Sequence, residues 1–353
     1  MPKPIYDEEF LKVLAKIAPG TPLRDAINSI VQMRNGGLIV IADPEKAQEV
    51  VQAGFWLDAD FTPQRVVELS KMDRAIVLTE DLKKISYANA YLVPDPRIPS
   101  DETGTRHLTA EKVAKQLNVA VIAISAERFG RVTVYYGPIR YVLQDSATLS
   151  ARVNQALRIL EQYRVTYNEL SLELTALELE GRVLPYHVAN ILQNIVQMLD
   201  TEEQIRLWFI ELGEEREMHQ LLLEWLMVDV REQAELLVRD FQENRKSPQA
   251  ILEEIRRLPP EELLSTEKIM EVLGYEGGEE ILDRFLPSRG YRVLSQIPRL
   301  PMSVIEDLVS EFGSLRAILR ATEKDLMEVK GIAEVRARAI RMGLRRLKNS
   351  FMG

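Results

Sequence analysis

Three short polar patches in the first third of the chain combine residue types that handle phosphate. Met72-Asp73-Arg74-Ala75 sets a carboxylate at the entrance of an apolar strand. Asp101-Glu-Thr-Gly-Thr-Arg-His-Leu-Thr109 is a polar stretch leading into a helix expected over 110–116. Within it Thr105, Arg106, His107 and Thr109 supply donors beside a helix dipole, which is anion chemistry. Ser125-Ala126-Glu127 ends an apolar strand, and the carboxyl ends of strands are where α/β sheets bind ligands. Each patch alone is also an ordinary feature: an Asp turn, a capped helix, a strand-end turn. Together they would place a carboxylate, a phosphate cradle and a polar strand end around one pocket.

The elements that must position these patches follow from periodicity. Helical spacing of apolar residues runs through 8–18 and 21–34, with Thr21-Pro22 as a helix start, and Thr62-Pro63 opens another helix. Apolar runs at 37–42, 75–79, 85–93, 119–125 and 132–136 read as strands. Apolar strands separated by helices imply a sheet covered on both faces, hence an α/β domain over 1–145. The stretch 94–109 is rich in Pro, Ser, Thr and Asp and reads as a long loop, a feature that is usually functional in a compact domain.

From Leu149 the pattern changes. Leu149, Val153, Ala156, Leu160, Tyr163, Tyr167, Leu170, Leu174 and Leu177 alternate spacings of four and three, and no proline interrupts 139–184. This reads as one long helix with a heptad-like seam, a bundle core before an intermolecular coiled coil. Amphipathic helices continue, so 146–288 is an all-helical spine with no catalytic constellation. Residues 289–353 form a third module of short helices. The expected fold is therefore multidomain, α/β followed by all-α.

Composition narrows the chemistry. The chain has 353 residues, is 46% hydrophobic and 28% charged, and contains no cysteine and three histidines. Disulfides, Cys-ligated zinc, iron–sulfur clusters and thiol catalysis are excluded. Any metal must lean on carboxylates or on phosphates carried by a ligand. No apolar run approaches the ~20 residues of a membrane span and the N-terminal stretch lacks a signal-peptide pattern, so no membrane association and a cytoplasmic location are expected. The net charge of −9 is uneven: residues 290–353 carry 12 Lys and Arg against 7 Asp and Glu, so +5 there opposes −14 elsewhere. A basic module on an acidic body suggests a polyanion partner.

That basic module has a definite pattern. Ile297-Pro-Arg-Leu-Pro301 and Val329-Lys-Gly-Ile-Ala333 are short loops feeding helix N-termini, where free backbone N–H groups can meet a phosphate. It resembles a tandem helix-hairpin-helix, which holds the DNA backbone without reading sequence. Lys330, Gly331, Arg336, Arg338 and Arg341 of the second copy are the residues this resemblance assigns to DNA. Ala333 replaces a usual second glycine, and Arg299 stands where the first copy typically has glycine.

The stretch Asn89–Val113 (NAYLVPDPRIPSDETGTRHLTAEKV) resembles the signature of diadenylate cyclase domains. The order of cyclase domain, spine and hairpin module resembles the family of DNA-integrity-scanning diadenylate cyclases over essentially the full chain, and Leu174-Thr-Ala-Leu-Glu-Leu-Glu180 is similar to that family's spine. The resemblance implies condensation of two ATP into cyclic di-AMP with release of two pyrophosphates. It also implies a homo-octamer in which cyclase faces meet, and binding of branched DNA that restrains synthesis. Carried onto this chain, Asp73 would activate a ribose 3′-hydroxyl and hold Mg²⁺ or Mn²⁺. Arg74 and Ala75 complete that motif, and Leu92 would contact adenine. Thr105, Arg106, His107, Leu108 and Thr109 would line phosphates and ribose, and Ser125 and Glu127 would close the pocket.

Two motif positions depart from the family. Asp73-Arg74-Ala75 stands for Asp-Gly-Ala, and Arg106-His107-Leu108 for Arg-His-Arg. A lost charged hydrogen bond costs roughly 1.5–3 kcal/mol, about 10- to 150-fold. Two functions of different class follow: a diadenylate cyclase, or a catalytically impaired nucleotide- and DNA-binding scaffold. A nuclease built on the hairpin module is disfavoured, because no cluster of carboxylates lies near it.

Overall fold

A computed structural model of the chain describes residues 8–126 and 130–352. They divide into two compact units, one holding the described residues up to 154 with 206–220 and the other 155–205 with those from 221 on.

The first unit is built on a seven-stranded sheet of order β2-β4-β3-β1-β5-β6-β7. The strands are β1 (Gly37–Ile41), β2 (Val51–Asp60), β3 (Ala75–Leu78), β4 (Lys84–Leu92), β5 (Ala120–Ile124), β6 (Val132–Tyr136) and β7 (Ile139–Val142). Only the β1–β3 pair is parallel. The period of two sends alternate residues to opposite faces. Ile39, Ile41, Ile76, Leu78, Ile122 and Ile124 enter one apolar cluster with helices α1 (Glu8–Lys16), α2 (Pro22–Gln32) and α4 (Pro63–Leu69). Leu38, Val40, Val77, Val121 and Ala123 enter the other, with α3 (Pro44–Ala47) and α5 (Thr105–Leu117). Both faces are covered, as continuous apolar strands require.

Three expectations are corrected here. The edge strand β2 has no counterpart in the sequence reading, and neither does β7, which lies between the expected strand 132–136 and the spine expected from 146. The long helix α6 begins at Ser146, the residue at which the expected spine begins, and Asp145 accepts from the Thr148 N–H there at 2.9 Å. Helix α5 starts at Thr105 rather than at 110, so the last five residues assigned to the loop, 105–109, are helical.

The second unit is helical throughout among the described residues. The seam residues Leu160, Tyr167 and Leu174 are buried within the chain, as a bundle core requires. Helix α6 (Ser146–Glu180) stops at Gly181, whose φ of +71° suits glycine, and α7 (Pro185–Leu212) starts on a proline. The C-terminal helices Tyr291–Ser295, Met302–Phe312, Leu315–Arg320, Glu323–Met327 and Glu334–Met352 enclose their own core around Val293, Ile305, Leu308, Leu326 and Ile340.

Candidate functional site

Strand register gathers the three polar patches at one end of the sheet. Gly37 of β1 pairs with Ile124 of β5, Ala75 of β3 with Ala90 of β4, and Leu92 of β4 with Val51 of β2. Ser125 therefore leaves the sheet where β1 and β3 enter it, beside Arg74 and Asp73. Because the sheet is mixed, this end is the carboxyl end of β4 and β5 but the amino end of β3. Ser125 and Leu92 thus stand at carboxyl ends of strands, where α/β sheets usually bind ligands, and Asp73 stands at an amino end.

Helix α5 delivers its N-terminus to the same end. Arg106 donates from Nη1 to the Ile124 carbonyl at 3.3 Å, and its guanidinium fills the space that a Cβ at Gly36 would occupy. His107 is buried, with Nε2 3.0 Å from Ser125 Oγ and Nδ1 2.9 Å from the Tyr135 hydroxyl. These anchors hold Thr105-Arg106-His107-Leu108 helical although threonine and histidine are weak helix formers. Gly104 is the N-cap and no side chain caps this end. The first-turn N–H groups and the dipole thus face outward, a geometry that suits an anion.

The loop before α5 is tied to it along its length. Asp95 N donates to Gln116 at 2.8 Å, and Lys112 and Lys115 donate to the Pro96 and Pro99 carbonyls at 2.8 and 2.9 Å. Ser100 donates to Glu111, which Lys115 also grips at 2.7 Å. The loop is a fixed rim that brings Glu102 under Tyr135, whose hydroxyl donates to Glu102 Oε1 at 2.7 Å. Arg140 reaches the same oxygen at 2.5 Å.

The electrostatics of this chain of contacts are consistent. Burial lowers the His107 pKa; Glu102 opposes that, while Arg131, Arg106 and Arg140 reinforce it. Burial alone would raise Glu102, but the Arg140 and Tyr135 hydrogen bonds outweigh it and hold the carboxyl below its usual value. Burial and Glu102 together push the Tyr135 hydroxyl far up, so it stays protonated.

The remaining candidates fall as follows. Asp73 is exposed at the β3 entrance, and Ala75 is buried behind it. The Arg74 guanidinium lies over the Tyr91 ring, 4.9 Å from its centroid, which is a cation–π contact. Leu92 is 7% exposed and belongs mostly to the core. Thr109 spends its hydroxyl on the Thr105 carbonyl at 2.8 Å, whereas Thr105 is exposed. Leu108 is half-buried and carries no polar group to this end. Glu127 lies outside the described residues. Glu102, Tyr135, Arg140 and Gly36 escape sequence reasoning; Glu102 alone stands inside a stretch already singled out.

Among the described residues no group of three or more His, Asp or Glu gathers to hold an ion.

Residues 24–138 match the family model described as DisA bacterial checkpoint controller nucleotide-binding, and residues 143–282 match the model of the DisA linker region. The DNA integrity scanning protein DisA of Carboxydothermus hydrogenoformans is 45% identical over 344 residues, covering 97% of this chain and 97% of that protein. The chain belongs to the DisA family. The DisA protein of Symbiobacterium thermophilum is 43% identical over 345 residues with the same coverage of both chains. Among solved structures, DacA from Staphylococcus aureus is 19% identical and aligns over 39% of this chain and 90% of that one, with a TM-score of 0.30. The nucleotide-binding module of the DisA family thus spans the sheet end, α5 and the loop described above. No helix among the described residues is long and apolar enough to cross a membrane.

The part of the chain beyond the DisA linker match carries a second candidate surface. Two helix–loop–helix pairs repeat one backbone pattern. Leu300 N donates to the Ile297 carbonyl at 3.3 Å and Ile332 N to the Val329 carbonyl at 3.1 Å. The residue between is left-handed in both loops, Arg299 with φ +63° and Gly331 with φ +80°. Lys330 is exposed; Arg336 donates to the Gly331 carbonyl, Arg338 pairs with Glu334 at 2.9 Å, and Arg341 donates to the Ala321 carbonyl at 2.6 Å. Lys330, Gly331 and Arg336 thus lie at the loop and helix start, whereas Arg338 and Arg341 lie further along the helix.

Proposed function

We propose that the first unit is a diadenylate cyclase, which joins two ATP molecules into cyclic di-AMP and releases two pyrophosphates. The observation carrying this reading is the uncapped start of α5, set beside the His107–Ser125 pair at the sheet end where Asp73 enters. In each of two transfers a ribose 3′-oxygen attacks the α-phosphorus of the other ATP, and pyrophosphate leaves. Asp73 accepts or orients the 3′-hydroxyl proton. The α5 N–H groups, Arg106 and Thr105 hold phosphate charge, and positioning does most of the work. The single carboxylate of Asp73 fits a Mg²⁺ or Mn²⁺ carried mainly on phosphate oxygens and does not fit a cage built by protein. Two ATP sites must face each other, so the reading requires self-association, which we propose is a homo-octamer.

A second reading has its own support. Arg74 and Leu108 stand where the family motifs have glycine and arginine, and a site so altered would bind ATP or cyclic di-AMP while turning over slowly. Incubation with ATP and Mn²⁺, with cyclic di-AMP measured directly, separates the two: product that vanishes in Asp73→Asn supports the cyclase, and nucleotide binding without product supports the scaffold.

The paired C-terminal loops support binding of branched DNA through its phosphates, in the manner of a tandem helix-hairpin-helix. Lys330→Ala with Arg338→Ala should weaken all sequences alike and flatten the salt dependence by about one unit per lost contact. Unchanged affinity and slope in that variant refutes the placement.

A further inference from the structure

The hydrogen directions around His107 can be assigned one by one. Tyr135 has a single hydroxyl hydrogen and gives it to Glu102, an ionised carboxylate that also accepts from Arg140. Tyr135 therefore turns a lone pair toward His107 Nδ1, and Nδ1 carries the ring hydrogen. A neutral imidazole has one N–H, so Nε2 is bare and accepts the hydroxyl hydrogen of Ser125. The charged groups facing the ring are Glu102 from the loop, Arg106 from α5, Arg131 at the entrance of β6 and Arg140 from β7. Three of the four are cations, and burial adds to them, so the resting ring is neutral.

This arrangement is wrong for a phosphate as it stands. Phosphate oxygens only accept, and with its hydrogen committed to Nε2, Ser125 meets them with lone pairs. One proton on Nε2 reverses the chain locally: the imidazolium donates to Ser125 Oγ, and Ser125 turns its hydrogen to the phosphate. Nδ1–H stays on Tyr135, and the Tyr135 hydrogen stays on Glu102. Leu108 sharpens the need, since Arg106 is the only permanent cation in the first turn of α5.

We propose that Glu102 and Tyr135 are positioning residues that fix the His107 tautomer, and that nucleotide binding here takes up a proton on His107 Nε2. The inference rests on the nucleotide reading above. The proton comes from solvent, and no other covalent bond changes.

Calorimetry on the full chain with α,β-methylene ATP and Mg²⁺, in buffers of different ionisation enthalpy between pH 7 and 8.5, tests it. The expected result is net proton uptake, with affinity rising as pH falls by up to about tenfold per pH unit. In Tyr135→Phe the Nδ1 hydrogen loses its acceptor, the other tautomer is free to form, and Ser125 can donate without added protons. Uptake should vanish there and the pH profile flatten, whereas loss of mere packing would lower affinity and leave the proton count unchanged. Glu102→Gln keeps an oxygen for Tyr135 and should retain uptake, with its midpoint moved to lower pH. Binding by the unmodified chain without uptake, or equal uptake in Tyr135→Phe, overturns this inference alone. No binding of the analogue by the unmodified chain overturns the nucleotide reading and this inference with it.

Discussion

Each unit contains a helix start served by a carboxylate, an arginine and a serine, and the two are put to opposite use. In the second unit Asp240 accepts from the Gly290, Tyr291 and Arg292 N–H groups at 2.6, 2.6 and 2.9 Å. The same helix start buries Arg292 against Glu178, which also accepts from Ser288 at 2.9 Å. In the first unit the carboxylate, Glu102, is spent on Tyr135 and Arg140, and the start of α5 receives no side chain. The first arrangement supplies its own anion and is complete. The arrangement around Glu102 leaves the start of α5 without a side-chain cap, which under the proposed function is where phosphate would sit. Residue type alone does not separate a structural network from a binding one; the separation lies in whether the chain fills the helix end itself.

Breaking the completed network should have the largest effect. Arg292→Ala leaves Glu178 and Asp240 as buried carboxylates without their cation, which costs about 3–5 kcal/mol. Denaturation of the full chain should show that loss, and nucleotide affinity of the folded first unit should stay unchanged. A loss below about 1 kcal/mol would mean the network is less closed than its burial implies. The same network predicts a pH trend. Burial and repulsion by Glu178 push Asp240 up to about 7 from its ordinary 3.8. A raised acid binds more protons folded than unfolded, so its contribution is present at low pH and lost as pH rises through this window. The native protein should lose stability relative to Asp240→Asn between about pH 4 and 7. His107 carries the opposite sign: its lowered pKa makes the fold lose stability as pH falls below the ordinary histidine value of 6.5.

Refilling the open site comes next in size. Arg74→Gly combined with Leu108→Arg restores both family motifs and one guanidinium, worth roughly 1.5–3 kcal/mol. Cyclic di-AMP production should rise at least about tenfold over the native chain. Equal rates would show that Arg74, parked on Tyr91, and Leu108 are both harmless to turnover.

How much of this was legible depends on what kind of signal each part leaves. The central strands are apolar throughout, and Thr21-Pro22 and Thr62-Pro63 do start helices, each threonine accepting from the N–H three residues on. Strand β2 leaves no such trace: it is an exposed edge with register shifts, so neither alternation nor an apolar run marks it. Strand β7 is four residues long and half-exposed. Asp73, His107 and Ser125 are visible as polar patches at element ends. The Glu102–Tyr135–Arg140 support is not, because its hydrogen bonds join residues 33 and 38 positions apart. Only the sheet register brings them together.

The smallest effect tests the comparison on a finer scale, in the two C-terminal loops. They share a backbone hydrogen bond and a left-handed residue, but one places arginine there and the other glycine. A left-handed non-glycine residue costs roughly 1–2 kcal/mol, while glycine's extra freedom in the unfolded chain returns about 0.4–1 kcal/mol of that. Arg299→Gly should therefore stabilise the module by about 0.5–1 kcal/mol, and Gly331→Ala should destabilise it by a similar amount. Space does not decide the second case, since a Cβ at Gly331 meets nothing nearer than Arg336 Nη1 at 3.9 Å. Denaturant midpoints of the two variants, read against the native chain, should thus move in opposite directions. If both move the same way, the loops share a shape without sharing its strain. If they diverge, Arg299 carries a local conformational cost that glycine at the same place does not.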